Sequence, residues 1–249
     1  MSDTSRSVVS DSPPLAQPLY APIKRRSFFM YAGATAGATA LALVGCSKES
    51  DPVVTDGPTS LGAGDVGVLN YAYALEQLEA AFYAKVKAST VAGFTADETA
   101  YFADISDHEA IHRDFLKAAI SRDFSGRLLP ELTFNFDTID FTKRVKAASD
   151  TKLGVLDAAK AFEDLGVAAY NGAGKLLKVP AYLVIAGQIV SVEARHVAYI
   201  RNLLVPGSFA ADDQVEPASG LDKTLSPTEV IAIAQAFVVQ QLDASSVGQ

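Results

Sequence analysis

From Asp65 to about Ala88 apolar side chains recur at Val68, Leu69, Ala72, Leu75, Leu78, Phe82 and Val86, in steps of three and four. That spacing lines one face of an α-helix. A second helix is expected from near Thr95 to about Ile120. Its first turn can be capped by the Thr95 side chain, while Glu98 three residues on returns the bond. A third covers roughly Thr151 to Leu177. A fourth opens on Pro180, whose fixed φ suits a first turn, and ends near Leu204 ahead of Pro206. Each is long against a usual mean of about 11–12 residues. Between the second and third helices, over residues 122–150, Leu132-Thr133-Phe134-Asn135-Phe136 alternates as an extended strand does, and a short helix is expected around 140–149. A connector this long suggests a crossover that lets helices two and three run in the same direction. Ser226-Pro227-Thr228-Glu229 repeats the capping signature and should start a short fifth helix. The expected fold class is all-α, a four-helix bundle with that crossover and a short fifth helix.

Composition narrows the field. The 249 residues leave room for one sizeable core or at most two modest ones, and 49% apolar with 20% charged residues excludes disorder of the whole chain. A single cysteine excludes an internal disulfide framework and any four-thiolate metal site within one chain. The formal charge of −8 argues against a nucleic-acid partner.

The first fifty residues read as an address. Residues 1–23 hold no periodic apolar pattern; then Lys24-Arg25-Arg26-Ser27-Phe28-Phe29 precedes an uncharged Ala, Gly, Thr and Leu stretch that reaches Gly45. A basic region followed by a moderately apolar one is the layout of an export signal. The paired arginines ahead of Phe28 resemble a twin-arginine signal, whose route carries folded proteins. Leu43-Val44-Gly45-Cys46 resembles the lipobox of bacterial lipoproteins, with Cys46 as the lipidated residue. An uncleaved membrane anchor is the alternative, but so many Ala and Gly residues make a marginal span. The expected division is therefore an export signal over 1–46, a flexible tether over 47–64 rich in Ser, Asp, Pro, Thr and Gly, and one domain over 65–240. Without residues 1–45 the chain keeps 17 basic and 27 acidic residues. The implied location is the cell envelope, held to a membrane by lipid rather than by a basic patch.

Three histidines and ten glutamates would give well under one Glu-x-x-His pair by chance, yet there are two: Glu109-Ala-Ile-His112 and Glu193-Ala-Arg-His196. On a helix, residues three apart share a face. One helix can thus offer a carboxylate and an imidazole to one metal pair. The neighbours on these faces are apolar: Ile189, Val190, Val197 and Ile200 around Glu193, and Phe102, Ile105 and Leu116 around Glu109. An ionised carboxylate on a buried stripe is costly unless it is paired or bound to a metal.

The remaining two helices each supply a matching carboxylate. Glu76 is followed seven residues later by Tyr83, and Glu163 seven later by Tyr170, so each tyrosine lies two turns along its glutamate's face. Glu76 precedes Glu109 by 33 residues and Glu163 precedes Glu193 by 30. The chain reads as two copies of one helix pair, Glu…Tyr then Glu-x-x-His. Neither copy closes a metal site alone; two facing each other can.

These residues carry a resemblance. The pattern resembles the ferritin-like di-iron carboxylate superfamily of four-helix bundles. More narrowly, Leu75-Glu76-Gln77-Leu78-Glu79-Ala80-Ala81-Phe82-Tyr83, Glu163-Asp164-Leu165-Gly166-Val167-Ala168-Ala169-Tyr170 and Val192-Glu193-Ala194-Arg195-His196 resemble the ferritin-like group that includes desiccation-related proteins. The resemblance implies Glu76 and Glu163 as terminal ligands, Glu109 and Glu193 as bridges, and His112 and His196 on one metal each. Tyr83 and Tyr170 would stand behind them as candidate catalytic side chains. The signal at the N-terminus and the long connector depart from storage ferritins, which puts a 24-subunit cage in doubt. Four carboxylates balance two divalent ions, and carboxylate with imidazole suits two Fe or Mn ions over Cu(I).

Other positions have plainer readings. Glu79 could replace Glu76 as ligand, but the repeat with Glu163 favours Glu76. His108 points about 100° from Glu109 along the helix and reads as a surface histidine. Gly166, Gly172 and Gly174 read as sites of close helix packing, and Ser106-x-x-Glu109 matches a capping box by spacing only. Two functions stay open. One is an envelope oxidoreductase of ferroxidase or peroxidase/catalase type, acting on Fe(II), peroxide or oxygen in stress defence. The other is a non-catalytic stress-protective or binding scaffold whose metal is structural or absent. Neither reading excludes a homo-oligomer.

Overall fold

The computed structural model of the chain describes residues 57–249. The expected export signal with Cys46, and the tether as far as residue 56, lie outside the described residues. The described end of that tether is part of the folded domain. Thr59–Ser60 (β1) pairs in parallel with Leu242–Asp243 (β4), and Leu61 is fully buried. At the other end the backbone N–H of Gly64 reaches the carbonyl of Gln249, and Val247 is buried. The domain therefore takes in residues on both sides of 65–240, because these short apolar segments find core contacts.

The described chain is mostly helical. Four long helices, α1 (Gly64–Lys87), α2 (Ala96–Asp123), α3 (Val155–Ala173) and α4 (Pro180–Leu204), precede a short α5 (Pro227–Ala234). Among the described residues the strands are two-residue pairs, β1 with β4 and β2 (Val215–Glu216) with β3 (Leu221–Asp222). The Thr95 and Ser226 capping boxes form as the spacing predicts, each satisfying backbone N–H groups that a first turn leaves open.

Helix α3 starts four residues later than its periodicity suggests. Leu153 is spent on the connector, donating to the Thr138 carbonyl and accepting from the Asp140 N–H. No helix forms at 140–149. The carbonyls of Lys143 and Arg144 instead accept from the N–H groups of Val155 and Leu156, the free donors of the α3 first turn, so they cannot close turns of their own. The stretch around Phe134 is extended, as its alternation suggests, and bridges Val238 in antiparallel sense.

Helix α1 is buried on nearly every side, and its polar residues fix the connector. Asn70 donates to the carbonyls of Leu61 and Arg127 and accepts from the Leu129 N–H, while Gln77 accepts from the Leu132 N–H. Phe82 then meets Phe162 of α3 at 5.0 Å between ring centres and Phe141 of the connector at 5.7 Å, and Phe162 meets Phe237 at 4.8 Å. Offset aromatic contacts of this kind add to the area they bury. They pin connector and C-terminal segment over one end of α1 and α3.

Candidate metal centre

Each long helix contributes to one buried cluster. Glu76 (α1), Glu109 and His112 (α2), Glu163 (α3), and Glu193 and His196 (α4) form two overlapping groups. Glu76, Glu109, His112 and Glu193 make one; Glu109, Glu163, Glu193 and His196 make the other, and in each the donor atoms lie within 4.8 Å of one another. Glu109 and Glu193 belong to both. All four glutamates are fully buried and His196 is only 3% exposed. The three-residue spacing on α2 and α4 turns carboxylate and imidazole to the same interior.

The imidazole Nδ1 atoms face inward. Nδ1 of His112 lies 3.0 Å from Glu193, 3.4 Å from Glu109 and 3.5 Å from Glu76; Nδ1 of His196 lies 3.0 Å from Glu109 and 3.4 Å from Glu163. Tyr83 donates to Oε1 of Glu163 and Tyr170 to Oε1 of Glu76, both at 2.5 Å. Each tyrosine thus ties the carboxylate of the other repeat, not the one two turns back on its own helix. What remains is a set of buried atoms without a hydrogen-bond partner: Oε2 of Glu76 and Glu163, both oxygens of Glu109 and Glu193, and both Nδ1 atoms. Orphaned buried polar atoms are rare in folded proteins. Here eight of them converge, six oxygens and two nitrogens, a donor set of carboxylates and imidazoles that fits a metal site.

Charge inside the cluster is distributed unevenly. Burial, then repulsion among the glutamates, holds the Glu193 carboxyl well above the usual range. Burial also raises Glu163, and it raises Glu76 to about 8. Burial opposes ionisation of Glu109 too, but the two imidazoles beside it outweigh that and bring it to about 2. Burial disfavours the imidazolium of both histidines, yet the adjoining carboxylates raise His112 to about 12 and His196 to about 10. The imidazoles therefore keep their protons well above the usual histidine range and offset the carboxylate charge.

Two neighbours have contacts that spacing alone does not show. Glu79, set aside as a weaker alternative, is not one of the converging donors, but it is buried (3% exposed) against α3, where a Cβ on Gly166 would come within 2.9 Å of its Oε1. Burial and then repulsion from Glu193 and Glu109 hold its carboxyl well above the usual range. His108 is exposed as expected, but its Nδ1 lies 3.0 Å from Nε2 of His196 with the rings nearly parallel at 8°. The four-residue step from His108 to His112 was the available signal; the partner on α4 was not readable.

Compared with models of known protein families, residues 64–206 match the one described as ferritin-like domain. That span runs from the first residue of α1 to just beyond α4 and contains the whole cluster. No curated protein matches the chain.

Proposed function

This chain belongs to the ferritin-like domain family, and from that premise we propose that its buried cluster holds two metal ions, iron or manganese. The proposed protein is an exported metalloprotein that oxidises Fe(II) or consumes peroxide or oxygen in stress defence. The observation that carries this reading is the convergence of six carboxylate oxygens and two imidazole nitrogens in one buried cluster, with no hydrogen-bond partner outside it.

In this reading Glu109 and Glu193, common to both donor groups, would serve both ions, while Glu76 with His112 and Glu163 with His196 would each hold one of them. Redox-active ions held there would supply the two electrons that reduction of a peroxide O–O bond requires. The chain's own part is positional. The Tyr83 and Tyr170 hydroxyls hold the terminal carboxylates by one oxygen and leave the other turned inward, a constraint that sharpens metal binding. Ile189, Val197 and Ile200 are buried along the α4 face and keep bulk water from competing. A finer architecture belongs to the proposal, a four-helix bundle with α1 antiparallel to α3 and α2 antiparallel to α4. The crossed pairs Tyr83–Glu163 with Tyr170–Glu76, and His112–Glu193 with His196–Glu109, support it. With short links from α1 to α2 and from α3 to α4, helices α2 and α3 then run in the same direction across the connector.

Export by the twin-arginine route and a lipid on Cys46 are proposed from Arg25-Arg26 and Leu43-Val44-Gly45-Cys46. One observation favours the scaffold alternative: imidazoles 3.0 Å from carboxylates can balance charge with protons alone. The purified protein, loaded anaerobically with Fe(II), decides between them when mixed in a stopped-flow instrument with hydrogen peroxide and, separately, with oxygen. Two ions per chain and oxidation faster than in Glu109→Ala at equal iron are expected. A folded protein that takes up neither Fe(II) nor Mn(II) would leave the scaffold reading.

A further inference from the structure

The two Glu-x-x-His pairs look equivalent in the sequence, but the outward faces of their imidazoles differ. Both histidines turn Nδ1 toward the carboxylates. Nε2 of His196 then meets Nδ1 of His108 at 3.0 Å, whereas no hydrogen bond to Nε2 of His112 is found among the described residues. The asymmetry is written into the repeat. His108 stands one residue before Glu109, and the matching position before Glu193 is Val192, which has no side-chain acceptor. His196 has a second tie as well, since Tyr101 donates to its backbone carbonyl at 3.1 Å.

We propose that His108 is a positioning residue that makes the two ion positions unequal, so that the position formed by Glu109, Glu163, Glu193 and His196 fills first and holds its ion more tightly. The inference rests on the dinuclear reading above. An imidazole that binds an ion through Nδ1 must carry its proton on Nε2. For His196 that proton has an acceptor already in place, His108 Nδ1, so the ring is held with Nδ1 toward the carboxylates before an ion arrives, and departure of the Nδ1 proton leaves the binding tautomer. His108 in turn carries its own proton on Nε2 and, being exposed, hands that N–H to solvent. The ring of His112 has no such partner among the described residues, and its side chain is 12% exposed against 4% for His196. The orientation of the His112 ring is held from the carboxylate side alone until an ion displaces the Nδ1 proton. Loss of a hydrogen-bond partner behind a metal-binding histidine typically costs about 10–100-fold in affinity.

The test is an anaerobic titration of the purified metal-free protein with Co(II), followed by ligand-field absorption and by competition with a chelator. Wild type should load in two steps, the first about tenfold or more tighter than the second. His108→Ala should weaken the first step by about 10–100-fold and bring it onto the second, with two ions still bound and the metal-free protein still folded by circular dichroism. His108→Gln, whose amide oxygen can accept the same N–H, should restore two separate steps. Glu163→Ala should remove the tight step and Glu76→Ala the weak one. A single step in wild type, two unaltered steps in His108→Ala, or an equal loss at both steps in that variant overturns the proposal. Absence of any Co(II) binding to folded wild type overturns the dinuclear premise itself, a failure distinct from equal binding at two positions.

Discussion

Tyr83 and Tyr170 each spend their hydroxyl on one oxygen of a fully buried carboxylate. Removal of such a donor leaves an acceptor that water does not reach, at a cost of about 1–3 kcal/mol. Tyr83→Phe and Tyr170→Phe should therefore each lower the urea-unfolding free energy of the metal-free protein by about that amount. The freed carboxylate also becomes less ordered, so the ion beside it should bind more weakly: the one shared with His196 for Tyr83→Phe, the one shared with His112 for Tyr170→Phe. Unchanged stability and unchanged metal affinity in both variants would show that these hydroxyls hold nothing in place.

Two glycines at the end of α3 differ. A Cβ on Gly172 would collide with the carbonyl oxygen of Leu225, a backbone atom that cannot swing aside, because Leu225 donates its N–H to the Ala168 carbonyl. At Gly174, in the 3-10 turn after the helix, the same Cβ would meet only the Leu183 side chain at 3.5 Å, an ordinary contact. Gly172→Ala should lose about 1–3 kcal/mol or more to overpacking, while Gly174→Ala should change stability little. Thermal melting of the two variants side by side checks the contrast; equal melting temperatures would contradict it. Helix α4 shows a related limit of composition. It is long and apolar enough to cross a membrane by those measures alone, yet its buried face carries Glu193 and His196 into the cluster.

Taken together, the buried groups make stability depend on pH. In the unfolded chain glutamates titrate near about 4.3 and histidines near about 6.5. In the folded metal-free protein burial and mutual repulsion lift Glu76 to about 8 and Glu193 and Glu79 well above the usual range. Against burial, the carboxylates lift His196 to about 10 and His112 to about 12. A group raised on folding contributes its stability in full below its unfolded value and loses it as pH climbs toward the folded one. Metal-free stability should therefore fall from about pH 5 upward, by about 1.4 kcal/mol per pH unit for each extra proton the folded state holds. Glu109, held at about 2 by the imidazoles beside it despite burial, acts in the opposite sense only on the acid side. Bound ions displace these protons, so the decline should flatten on loading and metal affinity should rise with pH. Circular-dichroism melting of metal-free and Mn(II)-loaded protein between about pH 5 and about pH 9 measures both; a metal-free melting temperature that rises over that range contradicts the assignment.

Periodicity and local chemistry were enough for the long helices, since a three-and-four apolar spacing, Thr95 with Glu98 and Pro180 act within one or two turns. The same local logic put Glu76, Glu109, His112, Glu163, Glu193 and His196 forward, because i,i+3 spacing and an internal repeat are properties of the chain before it folds. Residues 140–149 were misread because the carbonyls of Lys143 and Arg144 are claimed by α3, a partner distant in sequence. The hydroxyl of Tyr83 crosses to Glu163, Glu79 fills the space that Gly166 leaves, and His108 reaches His196. Each of these depends on which helix faces which, and at what distance. Spacing along one helix sets direction only; distances between helices are fixed when the core packs.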